Sequence, residues 1–348
     1  MPAVSGGILK LKALMFDNAP MWAGKRADLA IDLGTANTLV VERSDGIVFE
    51  QPSICCFNDD LGAAAELFAA GTAAKQMAGR EVKRLRMVRP LRQGVLVDVS
   101  AAAELLKFAI RPVTARRRLR RARAIIGVPS DATQAERRAL TKAAYEAGLA
   151  EPLLLPEPLL SAIGSGLDVD AARGRMIVDC GAGVTDVVVL SLGGVCVAQS
   201  VRGGGDAVEI ALMHHLHLQR QFRVGPSAAE TLKIALSAAL ASRTATHVEV
   251  KGLDTRSGLP RTLSVAVEEL RPVIQKYAAE VTTTVRAALS RLDPDLAMDI
   301  LEDGITLAGG AALTALVAQQ IEDSTGVETH CQSEPQKAVA KGLEMMLN

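Results

Sequence analysis

The chain has 348 residues, enough for about two to three domains with separate hydrophobic cores. Its 39 Lys and Arg residues balance its 39 Asp and Glu residues, and only 3% of residues are aromatic, so neither net charge nor base-stacking rings indicate a nucleic-acid partner. Five cysteines without CxxC spacing suit the reduced thiols of a cytoplasm, and because no apolar run approaches the roughly 20 residues that span a bilayer, we expect a protein neither secreted nor integral to a membrane.

Residues 7–18, GILKLKALMFDN, have the spacing of a short amphipathic helix. So short a helix is marginal in water, and Lys12 falls inside the apolar arc, so we expect the helix to form only against a surface. That surface is either a membrane or the body of the protein, and disorder is the third alternative. The membrane interpretation assigns lipid contact to Ile8, Leu9, Leu11, Leu14, Met15 and Phe16.

From Leu29 onward the pattern alternates between strands and helices. An apolar hairpin comes first, then helical spacing from Ala101 to Val113, then a buried strand and a helix that ends near Gly148. The later elements are a strand at 151–158, a helix through Ala162, a strand pair at 176–197, helices near 207–221, 228–240 and 267–292, strands at 247–250 and 304–310, and helices ending near Ser324 and lying near Ala338. The sequence therefore predicts an α/β protein with mixed strands and hairpins.

Two segments, AIDLGTANTLVV and IVDCGAGVTDVVV, share one plan of strand, Asp, any residue, Gly, small-residue turn, Thr and strand. Glycine lets backbone N–H groups approach phosphate oxygens, Thr hydroxyls add hydrogen bonds, and an Asp at a strand end can hold Mg²⁺ through water. Each segment alone also fits an ordinary β-hairpin, but their duplication in the two halves of the chain favours phosphate binding. The corresponding residues are Asp32, Gly34 and Thr38 in the first segment and Asp179, Gly181 and Thr185 in the second.

A third glycine cluster, ITLAGGAAL at 305–313, predicts a strand that ends at Gly309 and Gly310 and opens a helix. By itself it fits an ordinary strand-to-helix turn. Beside two phosphate hairpins it favours backbone that passes close to a base or ribose.

Together these motifs resemble those of the actin/Hsp70/sugar-kinase ATPase superfamily, and from Leu29 onward the chain is similar, more narrowly, to the MreB family of bacterial actins. The segments that carry the resemblance are IDLGTANTLV, VRPLRQGVLVD, GVPSDATQAERRAL, PEPLLSAIGSGLDV, SLGGV, VRGGGD, GLPRTL and AVAKGLEMM, in the family's order. The magnetosome filament protein MamK fits less well across the middle of the chain.

The resemblance implies an actin-like (ribonuclease H-like) α/β fold, in which two α/β domains, each with a small subdomain, surround a nucleotide cleft. It implies an N-terminal extension at 1–26, domain I at 27–165, joined by the C-terminal helix within 325–348, and domain II at 166–324 with a small subdomain at about 207–270.

The resemblance also implies ATP or ADP with Mg²⁺ in the cleft. Asp32 and Asp179 then lie near the metal through water, and Glu157 and Thr185 are the implied catalytic residues, Glu157 orienting the attacking water. The implied nucleotide contacts are Gly34, Thr35, Ala36, Asn37, Gly181, Ala182, Gly183, Gly205, Asp206, Glu230, Lys233, Gly309, Gly310 and Ala311.

Three residues depart from the family pattern. Val184 stands where the family has Thr, and the resemblance implies that the missing Thr hydroxyl shares the hydrolytic water with Glu157. Because in-line attack depends on positioning, we expect ATP binding with slow hydrolysis and long-lived filaments. Ala235 replaces a second acid and Ala311 replaces a third glycine, so nucleotide affinity and the preference for ATP over GTP stay open.

The implied function is a weak ATPase that polymerises into filaments on the inner face of the cytoplasmic membrane and organises cell-wall synthesis and cell shape. Its implied partners are further copies of the chain, the membrane surface and the membrane proteins of cell-wall synthesis, with no specific nucleic acid. The arginine-rich run at 116–123 leaves a solvated surface, lipid headgroups and nucleic acid as alternatives.

Other classes of the superfamily fit less well. A small-molecule kinase needs a further acid or base between the domains, and none stands outside the phosphate motifs. An Hsp70-like chaperone needs a substrate-binding domain beyond residue 348. A plasmid-segregating or organelle-positioning actin, and an ATPase that does not polymerise, remain alternatives. The histidines at 214, 215 and 217 lack a nearby acid or Cys that would complete a metal site, so we expect surface or subunit-contact residues.

Overall fold

A computed structural model describes residues 27–59, 65–80, 83–117 and 122–348, with the side chains of residues 116 and 117 outside the description. The predicted N-terminal helix, with its membrane residues, and most of the basic run at 116–123 lie outside the described residues. Within the described part of the chain, no helix is both long enough and apolar enough to cross a membrane.

The first large sheet has the strand order β10-β9-β1-β2-β3. Its strands β1, β2 and β3 form an antiparallel meander, and β9 and β10 extend the other edge parallel to β1. Both β1 and β9 are buried along nearly their whole length, as expected for strands covered on both faces. The bounds are Leu29–Leu33 (β1), Asn37–Glu42 (β2), Gly46–Pro52 (β3), Arg123–Val128 (β9) and Ala150–Pro156 (β10).

The second large sheet repeats this plan with the order β13-β12-β11-β17-β18. An antiparallel meander again forms one side, and two parallel strands extend the other. The internal repeat of the sequence is therefore also a repeat of the fold. The bounds are Arg175–Cys180 (β11), Val184–Ser191 (β12), Gly194–Arg202 (β13), Ile305–Ala308 (β17) and Thr329–Cys331 (β18).

Within the residues that the structure describes, three small sheets attach to this frame. One has the order β5-β4-β6 and lies in the first half of the chain beside α1, the second is the two-stranded β7-β8, and the third has the order β14-β15-β16. The bounds are Cys55–Asn58 (β4), Glu66–Ala70 (β5), Gly71–Met77 (α1), Leu85–Val88 (β6), Leu91–Arg92 (β7), Val95–Leu96 (β8), Phe222–Arg223 (β14), His247–Asp254 (β15) and Pro260–Ala266 (β16).

Local sequence sets where several helices begin. Thr133 and Glu136 form a reciprocal capping box at the start of α3, and a proline occupies the first turn of α4, α6 and α8, where no backbone donor is lost. The bounds are Val99–Arg117 (α2), Gln134–Glu146 (α3), Glu157–Gly164 (α4), Gly205–Arg220 (α5), Pro226–Ser242 (α6), Val267–Leu289 (α7), Pro294–Asp303 (α8), Val317–Thr325 (α9) and Ala338–Leu347 (α10), with 3₁₀ turns at Gly310–Leu313 and Pro335–Lys337.

The two large sheets are joined by a shared core that contains α4 and α10. These two helices cross in close contact, since a Cβ on Gly164 would lie 1.9 Å from the carbonyl oxygen of Ala338, and one on Gly342 would lie 1.9 Å from that of Leu160. Only glycine allows backbones to approach so closely. Helix α10 also packs on β1 and β2, so the end of the described chain returns to the first sheet.

Candidate functional site

A cleft of about 580 Å³ opens between the two large sheets, at the ends of their central strands. Both predicted hairpins, the Gly309 turn, and helices α4, α5 and α6 contribute to its walls. This is the edge of an α/β sheet at which ligands usually bind. The predicted residues that line it are Asp32, Gly34, Thr35, Ala36, Asn37, Glu157, Asp179, Gly181, Ala182, Gly183, Gly205, Glu230, Lys233, Gly309, Gly310 and Ala311.

The two hairpins have the same turn geometry. The Gly34 amide donates to the Asn37 carbonyl at 3.0 Å, and the Gly181 amide donates to the Val184 carbonyl at 2.8 Å. In each case a Cβ on the glycine would lie 2.9 Å from that carbonyl oxygen, which a real Cβ does not tolerate. The turns therefore require glycine, and their tight backbone is the feature that the sequence repeat predicted.

The hairpins face each other through residues of both halves of the chain. A Cβ on Gly183 would lie 2.3 Å from Thr35 Oγ1 and 2.5 Å from the Gly94 nitrogen. The Gly94 amide in turn donates to Thr35 Oγ1 at 3.2 Å. The turn between β7 and β8 thus lies beside both glycine hairpins. Sequence reasoning missed Gly94, although it stands in the quoted segment VRPLRQGVLVD.

Three carboxyl groups stand at the floor of the cleft. Burial, followed by repulsion from Asp179, raises the pKa of Asp32 to about 7. Burial likewise raises the pKa of Asp179 to about 7, against the hydrogen bond that Ser161 donates to it. Burial and the neighbouring charges of Asp32 and Asp179 raise the pKa of Glu157 well above its usual range. The protein alone disfavours three negative charges here, so a cation would relieve this repulsion.

This donor set fits Mg²⁺ held through water. Magnesium usually keeps several waters and takes one or two protein carboxylates, together with phosphate oxygens. Among the described residues, no three His, Cys, Asp or Glu side chains are close enough together to enclose an ion directly. Asp32 lies near the end of β1 in the first sheet and Asp179 near the end of β11 in the second, and both line the cleft, which suits an ion placed between them.

The opposite end of the cleft combines apolar side chains with charged ones. Ile234, Ala238, Ala241 and Leu313 form an apolar wall, which suits a flat ring. Gly309 has a φ of 81°, and a Cβ there would lie 2.3 Å from the Cys180 carbonyl oxygen, so the turn demands glycine.

Charged side chains flank that wall. Lys233 Nζ lies 2.6 Å from Glu209 Oε1, and Glu230 Oε2 lies 2.6 Å from Nζ of Lys75. The second pair joins α6 to α1 and so crosses the mouth of the cleft. Glu209 and Lys75 were absent from the predicted site, because neither belongs to a glycine motif.

Three predicted residues lie off the cleft wall. Thr38 of the first hairpin is fully buried, and its hydroxyl oxygen lies 2.8 Å from that of Ser53. The Thr185 side chain is fully buried, and its hydroxyl oxygen lies 3.1 Å from the hydroxyl oxygen of Tyr277 in α7. Because side chains alternate along a strand, Val184 and Asp186 face the cleft and Thr185 faces the core behind it. The proposed catalytic role of Thr185 thus has no geometric support. Asp206, in the first turn of α5, is the third predicted residue outside the lining.

The repeated sheet plan and the cleft between the two hairpins define an actin-like fold. The crystal structure of MreB5 of Spiroplasma citri bound to ADP superposes with a TM-score of 0.84 at 29% identity, covering 92% of this chain and 95% of that chain. The MamK double helical filament superposes with a TM-score of 0.74 at 22% identity, covering 91% of this chain and 97% of that chain, and supports the fold alone.

Sequence comparison narrows the class. The family model described as MreB/Mbl protein matches residues 26–348. The cell shape-determining protein MreB of Escherichia coli (strain K12) is 36% identical over 325 residues, which cover 92% of this chain and 94% of that protein. The chain therefore belongs to the MreB/Mbl family of bacterial actin homologues.

Proposed function

We propose that the protein binds ATP or ADP with Mg²⁺ in the cleft and uses the nucleotide to control its assembly into filaments. The observation that carries this proposal is the pair of glycine turns of the same geometry, which meet at Gly183 and Thr35 and line one cleft with Asp32 and Asp179. A relative of known structure, MreB5 of S. citri, was solved with ADP. In this chain the two turns would bind phosphate oxygens, and the apolar wall at Ile234 would take the base.

Magnesium would supply positive charge between the phosphates and the buried carboxylates. Asp32 and Asp179 would hold its water ligands, and the hydrogen bond from Ser161 fixes the orientation of the Asp179 carboxylate. Glu157, at the first turn of α4, would orient the attacking water. Val184 faces the same part of the cleft and offers methyl groups there, so the water lacks a second hydrogen-bonding partner at this position and hydrolysis is slow.

Nucleotide binding can be tested by titrating the purified protein with a fluorescent ATP analogue, with Mg²⁺ and with EDTA. We expect saturable binding that tightens with Mg²⁺, and Asp32→Asn should remove most of that tightening because the amide is isosteric but uncharged. Asp323→Asn, at an exposed position in α9, is the matched control and should behave as the original chain does. Absence of saturable binding would refute the proposal.

We further propose that the filaments serve cell shape, as the name of the E. coli relative states for that protein. The family resemblance supports head-to-tail assembly, which is part of this proposal. Filament formation can be tested by electron microscopy at micromolar protein concentration. The samples contain ATP, ADP or no nucleotide, each with and without lipid. Filaments that need ATP support the proposal, whereas their absence in every condition indicates an ATPase that does not polymerise.

The proposed location is the inner face of the cytoplasmic membrane, reached through residues 7–18 and shared with membrane proteins of cell-wall synthesis. The amphipathic spacing of that segment supports it. Co-sedimentation with liposomes should fall when residues 1–18 are deleted, and unchanged co-sedimentation would exclude a role for the segment.

The domain division at residues 165 and 324 is proposed on the family resemblance, with α10 returning to the first sheet.

A further inference from the structure

An arginine of the second large sheet reaches across to the first half of the chain beside the phosphate hairpins. Arg202 ends β13, and its Nη1 donates to the Gln93 carbonyl oxygen at 2.8 Å. Its Nη2 lies 2.7 Å from Asp131 Oδ2 and 3.8 Å from Glu136 Oε1, at the start of α3. One guanidinium therefore contacts two separate segments of the first half. A planar, multiply donating group suits this task better than an ammonium.

A buried carboxylate makes a second crossing next to it. Asp186 is only 3% exposed, and its Oδ1 accepts a hydrogen bond from Ser130 Oγ at 2.6 Å. Ser200, on the neighbouring strand β13, also donates to Asp186, and its hydroxyl oxygen lies 3.1 Å from that of Ser130. Ser130 belongs to the first half, so this acid has donors from both sides of the cleft.

These crossings meet the phosphate hairpins at one turn. Arg202 holds the carbonyl of Gln93, and the next residue, Gly94, donates its amide to Thr35 Oγ1. Gly94 has a φ of 74°, and a Cβ there would lie 2.3 Å from Val184 Cγ2, so the turn packs directly on the second hairpin. Displacing Gln93 therefore displaces the contact that both hairpins share.

We propose that Arg202 is a positioning residue of an interdomain latch formed by Gln93, Ser130, Asp131, Asp186, Ser200 and Arg202. The latch holds the Gln93–Gly94 turn between the phosphate hairpins and so retains bound nucleotide. This inference rests on the proposed nucleotide function. Its physical basis is that partly buried charge-assisted hydrogen bonds are stronger than neutral ones. The bonds of Arg202 with Gln93 and Asp131, and the bond that Ser130 donates to Asp186, must break if the two halves separate.

The first test is the rate at which a fluorescent ATP analogue dissociates in the presence of Mg²⁺. We expect Arg202→Met to dissociate about tenfold faster, because it loses bonds to both Gln93 and Asp131. Arg202→Lys should dissociate more slowly than Arg202→Met but faster than the original chain. Its ammonium group reaches Asp131 but lacks the paired N–H donors with which the guanidinium binds Gln93 and Asp131 together. Arg261→Met is the matched control: it removes a 2.9 Å ion pair with Asp254, in the small sheet away from the latch, and should not change the rate.

Coupling within the latch is tested by Asp131→Asn, which should act in the same direction with a smaller effect. The double variant with Arg202→Met should dissociate no faster than Arg202→Met alone, because the two side chains serve one contact. Strictly additive effects, or an unchanged rate in Arg202→Met, would overturn the proposal. If Arg202→Met does not fold, the milder Asp131→Asn variant decides the same question.

A second readout separates the latch from the nucleotide function. Hydrogen exchange of the peptide that contains residues 91–96, in nucleotide-free protein, should quicken in Arg202→Met and stay unchanged in Arg261→Met, because the Gly94 amide loses its fixed acceptor geometry. If the original chain binds no nucleotide, the proposed function fails while this measurement still stands. Unchanged exchange in Arg202→Met would refute the latch itself.

Discussion

Replacing Gly183 by alanine should block closure of the cleft without unfolding either half. The added Cβ would lie 2.3 Å from Thr35 Oγ1, 2.5 Å from the Gly94 nitrogen and 3.0 Å from the Gln93 carbonyl carbon. Heavy atoms of this kind pack at roughly 3.5 to 4.0 Å, so the opposing wall must recede by about 1 Å. All three atoms belong to the first half of the chain, whereas Gly183 belongs to the second. The strain thus falls on the contact between halves.

A displacement of about 1 Å at a reacting centre can lower a rate roughly a hundredfold, so we expect phosphate release by Gly183→Ala to fall by about that factor. Phosphate release under saturating ATP and thermal unfolding should be measured on the same preparations. Gly194→Ala is the matched control, because its Cβ would meet only the Ser191 carbonyl oxygen, at an ordinary 3.7 Å. The reasoning is refuted if Gly183→Ala hydrolyses ATP as fast as Gly194→Ala does.

Three further predictions concern the rest of the cleft. Val184→Thr should raise the rate of phosphate release up to about tenfold, since one added hydrogen bond contributes ~0.5–1.5 kcal/mol, and an unchanged rate would contradict the role given to the missing hydroxyl. Lys75→Met removes the partly exposed pair with Glu230, which is expected to contribute only ~0.2–1 kcal/mol, so nucleotide should dissociate at most about fivefold faster, with no difference at high salt. Because the folded-state pKa values of Asp32 and Asp179 are raised to about 7, these groups favour folding fully only below about pH 4, the ordinary pKa of an aspartate, and the contribution is lost progressively as the pH rises from there to about 7. In EDTA, Asp32→Asn should therefore unfold at a higher temperature than the original chain near pH 8, and the difference should shrink steadily as the pH is lowered to about 4. Equal midpoints near pH 8 would contradict the assigned burial.

The cleft residues that could be predicted from the sequence were those whose backbone conformation requires a particular residue type. Gly34, Gly181 and Gly309 were predictable because a tight turn or a close carbonyl oxygen excludes a side chain. The glycine that such a turn requires is visible in the sequence. Thr185 was misplaced for the converse reason. A hydroxyl next to a glycine turn is typical of a phosphate-binding residue. Because side chains alternate along a strand, however, Thr185 points into the core and contacts Tyr277, and Val184 lines the cleft.

The sequence by itself determined the alternation of strands and helices, the duplicated hairpins and the carboxylates near the ends of their first strands, since each depends on residues close together in the chain. Only the tertiary structure decided which distant residues meet. The contacts of Arg202 with Gln93 and Asp131, and of Lys75 with Glu230, join segments with no local pattern in common. These contacts form because the two large sheets, which have the same strand plan, flank one cleft. Charged groups that lie at the edges of the cleft lower their free energy by pairing across it.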